Sequence, residues 1–273
     1  MDRAGELGSA LDACVHVVSA YPSVSAGEWM AAAGGVAVVE RSDPERAQIA
    51  ETIVANSRDR LTARGVNVRT HVCCADPAQA LVTIAAGENA QMIVVGNRGM
   101  TGARRLLGSV PNKVSHHARC GVLIVSTRSR SRPGGAALTG GAIVVGTDGS
   151  DGARMAVKES IRLAKVLGGE LHIASSGEAV SVDAVLDEAV ASARAEGVVA
   201  TMHADRRDPT EALLDVAERA DASMIIVGSK GMHGMDRLTL GNVPNQISHK
   251  GPCNVLIAYT GQPDGDSDEQ VAK

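Results

Sequence analysis

Apolar residues in this chain come in short consecutive runs, separated by longer stretches with helical spacing. In the second half the runs predict strands at 142–147, 170–174, 198–203, 224–227 and 254–258, and the amphipathic stretches predict helices at 152–167, 182–196, 209–220 and 243–250. Runs such as Ile143-Val144-Val145 and Ile225-Ile226-Val227 are apolar on adjacent residues rather than alternate ones. Parallel strands covered on both faces have that pattern. The order βαβαβαβαβ predicts an α/β fold built on a doubly wound parallel sheet. Such sheets bind ligands outside the carboxyl ends of their strands, at the switch point where strand order reverses.

The first half repeats the order with a gap at its start. Helix 3–11 matches 159–167; strand 14–19, a long loop carrying Trp29, helix 44–64, strand 66–72, helix 77–86, strand 92–95, helix 110–118 and strand 122–126 follow. His16 aligns with His172 at an offset of 156, which projects Asp148 to a position before Met1. The first strand of the first repeat is missing from the sequence. We expect two tandem domains, 1–127 and 142–260, joined by a flexible Gly/Ser/Arg-rich linker at 128–141 and followed by a disordered acidic tail at 261–273.

With a net charge of −4, no Phe, one Trp and two Tyr, the chain has neither the charge nor the stacking side chains of a nucleic-acid binder. Its five cysteines are odd in number and sit mostly at strand-like positions, which suits a reducing compartment. No run approaches the ~18 consecutive apolar residues of a bilayer span. A cytoplasmic protein without membrane or nucleic-acid partners is the expectation.

The candidate chemistry lies in a duplicated glycine motif. Gly96, Gly99 and Gly108 recur 132 residues later as Gly228, Gly231 and, with one extra residue, Gly241. Ser109-Val110 follow the first set and Asn242-Val243 the second. Each set follows an apolar strand and opens a helix. Glycine lets backbone approach an anion, and a helix N-terminus offers unpaired N–H groups and a positive dipole end. In the second half Val145-Gly146-Thr147-Asp148 ends the first strand, so an acidic side chain and the glycines point to one edge of one sheet.

These residues resemble the universal stress protein family in its ATP-binding branch. The resemblance spans both halves and implies two flavodoxin-like domains with strand order 3-2-1-4-5, the first lacking its central strand. It implies that Gly228, Gly231, Gly241, Asn242 and Val243 hold the phosphates and ribose of ATP, with Mg²⁺, while Asp148 meets the nucleoside. Asn242 is expected at the helix N-cap; Lys230 or Arg237 supplies charge near the phosphates. Gly96, Gly99, Gly108, Ser109 and Val110 are weaker candidates, because eight residues rather than nine separate Gly99 from Gly108 and no partner Asp is present. Loss of the central strand is expected to part strands two and three from four and five; either the natural start lies upstream of Met1, which is the favoured expectation, or another segment fills the slot. The resemblance further implies that strands 121–126 and 254–259 pair in an intramolecular pseudo-dimer, with a homodimer as a further option.

The expected role is regulatory, through ATP-dependent conformation. The alternative is a family member that acts through protein contacts alone. No nucleophile elbow, Walker lysine motif or acid–base pair stands beside the glycine motif, so no catalytic residue is assigned and at most slow ATP hydrolysis is expected. His116 and His249 each precede a cysteine, Cys120 and Cys253, by four residues, but no third ligand is near in sequence and no metal site is assigned. Cys73-Cys74 reads as packing rather than as a redox pair. Met100, Met232 and Met235 read as loop packing residues.

Overall fold

The computed structural model describes residues 1–22, 43–97, 108–126, 137–177, 179–229 and 240–261. Helix α1 (Asp2–Ala10) precedes β1 (Val15–Tyr21), α2 (Pro44–Thr62), β2 (Val68–Cys74), α3 (Pro77–Gly87), β3 (Met92–Gly96), α4 (Ser109–His117) and β4 (Gly121–Val125). The second half runs β5 (Ile143–Gly146), α5 (Asp151–Leu167), β6 (Leu171–Ser176), α6 (Ala179–Ala195), β7 (Ala200–Asp205), α7 (Pro209–Arg219), β8 (Met224–Gly228), α8 (Asn242–Lys250) and β9 (Asn254–Ala258).

Local chemistry sets the helix starts. Asp43, Asp76 and Asp208 each precede a proline, and each carboxylate accepts from two backbone N–H groups of the first turn. Proline at the first helical position has no N–H to lose, and the Asp satisfies the donors that remain. Helix ends account for a difference from the sequence pattern. β2 and β7 begin two residues later than predicted, because Val66 and Val198 belong to helix ends. Gly65 and Gly197 are left-handed at φ 76° and 74°. Val66 N–H then donates to Leu61 C=O and Val198 N–H to Ala193 C=O. A β-branched residue after such a glycine completes the helix stop through its apolar contact, and only then does the strand start.

A seven-stranded sheet has the order β3-β4-β9-β8-β5-β6-β7, and β1 and β2 form a separate parallel pair. Within the second half every pairing is parallel. β4 and β9 meet antiparallel, Leu123 opposite Leu256, so the last strands of the two halves join as expected. Asn254, fully buried, fastens this seam. Its Oδ1 accepts from Ser126 N–H at 3.1 Å, and its Nδ2 donates to Ser223 C=O at 2.7 Å.

Successive residues of β5 and β8 serve opposite cores, which explains their consecutive apolar runs. Ile143, Val145, Met224 and Ile226 join α5 and α6 on one face. Val144, Ile225 and Val227 join α7 and α8, with Ala78 of α3 and Val114 of α4, on the other. Leu138, within the segment read as a linker, is buried beside the first of these cores, and its N–H donates to Glu6 of α1.

Candidate functional site

The switch point lies at β5. From it the chain crosses through α5 to β6 on one side, and it returns through α7 to β8 on the other. The carboxyl ends of β5 and β8 are therefore neighbours, in the register Val145 opposite Ile226. Beyond β5, Thr147 is buried and its N–H donates to Ala174 C=O. Asp148 is exposed; its Oδ1 accepts from the backbone N–H of Ser150 at 3.0 Å and from its hydroxyl at 2.6 Å. Ser150 in turn caps α5 by accepting from Ala153 N–H. Between them, Gly149 has φ 77°, and a Cβ there would stand 2.8 Å from Val185. The turn thus needs glycine on two counts, and it holds Asp148 at the sheet edge.

At the end of β8, Ser229 N–H donates to Ala258 C=O while Ser229 C=O accepts from Gly241 N–H at 3.0 Å. That second bond closes the base of the glycine loop. Lys230, Gly231, Met232, Met235 and Arg237 lie outside the described residues, as do Trp29, Gly99, Met100, most of the linker and the acidic tail after Gly261.

Gly241, not Asn242, is the N-cap of α8, with φ −61° and ψ 161° and its carbonyl accepting from Asn245 N–H. This corrects the sequence expectation. Asn242 is the first helical residue, and its side chain folds along the helix, where Oδ1 accepts from Gln246 Nε2 at 3.1 Å. Asn242 and Val243 present backbone N–H groups in the first turn, where the helix supplies no acceptor; Pro244 has none. α4 repeats the arrangement: Gly108 is its N-cap, Ser109 and Val110 are its first residues, and Pro111 follows.

Among the described residues, nothing requires glycine at 241. Its φ is one any residue adopts, and a Cβ there would meet Pro244 and Ser229 at 3.4 and 3.5 Å, ordinary contact distances. Gly108 is alike, with φ −59° and nothing nearer than 3.5 Å among the described residues. Gly228 closes β8 at the same sheet edge, half-buried, and Gly96 closes β3, exposed. The structure thus brings Asp148, Gly228, Gly241, Asn242 and Val243 to one edge. Gly96, Gly108, Ser109 and Val110 gather at the corresponding end of the first half. There no described strand stands in the place of β5.

A groove of about 890 Å³ touches this turn at Thr147 and Gly149 but runs away from the switch point along α5, past Lys158 and Arg162, to Gln91 and Cys120. Its size does not make it the site. Three of the four cations along α5 are matched by acids: Arg154 by Asp151 and Glu188, Arg162 by Glu159, Lys165 by Glu196.

Among the described residues, neither histidine–cysteine pair belongs to a group of three metal-ligating side chains. Burial pushes the Cys120 thiol up to about 11 and that of Cys253 to about 12, so neither is a ready thiolate. His116 instead reaches across the halves, its Nδ1 accepting from Leu240 N–H at 3.4 Å, beside the second glycine loop. Cys73 and Cys74 are both free thiols, half-buried and exposed respectively. Sequence reading passed over a different group. His16 Nδ1 and His71 Nε2 stand 2.9 Å apart across β1 and β2, with Glu88 beside them. Their separation along the chain hid them, and only strand register joins them.

The family model described as the universal stress protein family matches residues 1–126 and 141–258. The chain belongs to that family, with two copies of its domain. A universal stress protein of Mycobacterium tuberculosis is 27% identical over 236 residues, covering 79% of this chain and 77% of the relative. One from Bacillus subtilis is 36% identical over 74 residues, 27% of this chain and 50% of its own. Among solved structures, a universal stress protein from Archaeoglobus fulgidus superposes with a TM-score of 0.71 at 22% identity, covering 95% of this chain and 92% of that one. No helix among the described residues is long and apolar enough to cross a membrane.

Proposed function

We propose that the second domain binds an adenine nucleotide, ATP with Mg²⁺, and that the protein acts as a regulator whose conformation or partner contacts respond to that ligand. The observation that carries this reading is that the Asp148 turn and the Gly241 N-cap stand at one sheet edge, while no described residue requires glycine at 241. A glycine without a conformational or packing reason is accounted for by the close approach of a ligand to its backbone. The residues fit the group. Asn242 and Val243 N–H groups and the positive end of α8 suit phosphate oxygens. The Asp148 carboxylate suits nucleoside hydroxyl or amino donors, and Gly228 leaves the strand end open. Bound ATP would bring phosphate charge, which Mg²⁺ would neutralise. The chain's part is to hold and orient it, and hydrolysis, where it occurs, is slow.

Gly241→Ala gives a clean test. Its φ and surroundings admit a methyl group, so stability should change by no more than ~0.5 kcal/mol, while nucleotide affinity should fall at least ~10-fold, or ~1.4 kcal/mol. Denaturing purified protein and counting released nucleotide should give one per chain in the parent and a deficit in the variant. Unchanged binding in Gly241→Ala would remove the argument.

A second reading, a family member acting through protein contacts alone, is favoured by Asn242, whose side chain is engaged with Gln246 rather than presented at the sheet edge. Absence of nucleotide after denaturation, with no binding on adding Mg-ATP, would select it. The first domain should hold nucleotide weakly, since no described residue plays the part of Asp148 there. We place the protein in the cytoplasm, with self-association beyond the β4–β9 seam as a further proposal.

A further inference from the structure

We propose that His16, His71 and Glu88 form a binding site for a divalent transition metal of the zinc class. Parallel pairing puts His16 opposite Arg69 and Val18 opposite His71, so the two histidines lie diagonally on the same face of adjacent strands. Their rings stack with centroids 5.2 Å apart and planes inclined by 16°. One ligand atom from each histidine and a carboxylate oxygen of Glu88 all lie within 4.8 Å of one another. Two imidazole nitrogens and one carboxylate make a donor set that suits zinc and leaves a fourth position open. Small side-chain rotations bring such atoms to the ~2.0–2.2 Å of zinc ligation.

The surroundings are compatible. Both histidines are half-buried and Glu88 is exposed, so an ion can enter from solvent. Glu88 immediately follows α3, whose carboxyl end favours a cation. Arg69 Nη1 donates to Glu88 Oε2 at 3.3 Å. A carboxylate has lone pairs for both partners, and in the metal-bound state Arg69 would orient Glu88 as an outer partner, at some electrostatic cost to the ion.

The second half supplies an internal control. His172 and His203 reproduce the pair, with Nδ1 to Nε2 at 3.0 Å and centroids 5.2 Å apart. Ala220 occupies the position equivalent to Glu88, and Glu170, on the strand side of the pair, stands 3.8 Å from His172 Nε2. The histidine pair is common to both domains; the facing carboxylate at the helix end is particular to the first.

The test is titration of the full chain, without nucleotide, with Zn²⁺ by calorimetry and with Co²⁺ by visible absorption. One equivalent per chain is expected, with a tetrahedral Co²⁺ band and no sulfur charge-transfer band in the near ultraviolet. His71→Ala and Glu88→Gln should each weaken binding at least ~10-fold, while His203→Ala should leave it unchanged. Glu88 is exposed, so Glu88→Gln should keep the parent melting transition and separate ligand loss from misfolding. The proposal is overturned by no binding, by binding that survives both first-half variants, or by a thiolate spectrum. Nucleotide content does not enter the readout, so the two proposals fail separately.

Discussion

The two halves carry nearly the same strand and helix pattern, yet equivalent residues differ in burial. In α7, Leu213, Val216 and Ala217 are buried; in α3 their counterparts Leu81, Ile84 and Ala85 are only half-buried. Met224 and Ile226 of β8 are buried, whereas Met92 and Val94 of β3 are not fully so. Val15 of β1 is half-buried where Leu171 of β6 is buried. Each of these second-half residues lies on or beside β5. In the first half the described residues provide no strand there, and β1 and β2 separate from β3 and β4. Burial of an apolar face therefore depends on the central strand and is not a property of the face alone.

The largest effect should come from core truncation. Leu213, 4% exposed and packed over Gly146, should lose about 2–5 kcal/mol as Leu213→Ala. Leu81→Ala should cost roughly half as much or less, because part of its surface is already wet. Urea unfolding of both variants measures this, and equal losses would break the comparison. Amide exchange should agree, with β1 and β2 opening before β5 and β8.

The seam offers a sharper pair of variants. Asn254 and Gly121 hold equivalent positions at the starts of β9 and β4. Asn254→Ala removes the side-chain oxygen that accepts from Ser126 N–H and one of the two donors to Ser223 C=O, whose bond from the Asn254 backbone N–H remains, and should cost about 1–3 kcal/mol. Gly121→Ala, whose Cβ would meet only ordinary contacts near 3.5 Å, should stay within ~0.5 kcal/mol. Thermal melts showing the reverse order would mean that the seam is not held as described.

A smaller effect separates the edges by pH. Arg207 beside Asp205 holds that carboxyl well below the usual carboxylate range, and the equivalent position in the first half is Cys73. A lowered folded-state value means the unfolded chain binds the proton first. The contribution is therefore complete above the ordinary value of 3.8 and fades as pH falls through the folded value. Asp205→Asn should be less stable than the parent at neutral pH, and the gap should narrow in acid. A gap that widens below pH 3.8 would refute the pairing. Least in energy is thiol reactivity: Cys74, exposed, should react with a disulfide reagent before Cys120, and Cys253, buried and pushed up to about 12, last.

Most elements were legible because their signals are local. Amphipathic spacing marked the helices, and consecutive apolar runs marked strands covered on both faces. Val66 and Val198 misled, since β-branched residues serve helix stops as well as strands. Asn242 misled for a related reason: asparagine caps helices well, but here the cap position falls one residue earlier, at a glycine. The placement of Asp148, Gly228 and Gly241 at one sheet edge was legible through the repeat and the switch-point rule. The group of His16, His71 and Glu88 was not, because no short spacing records it.

The sequence by itself determined the repeat, the α/β class and the order of elements, since periodicity, capping and glycine placement act over a few residues. Tertiary structure alone decided which apolar faces are buried, where the halves join, and which distant side chains share a face. Those outcomes depend on strand register and on neighbours far away in the chain, and the lack of a central strand among the described residues of the first half changes them without altering any local signal.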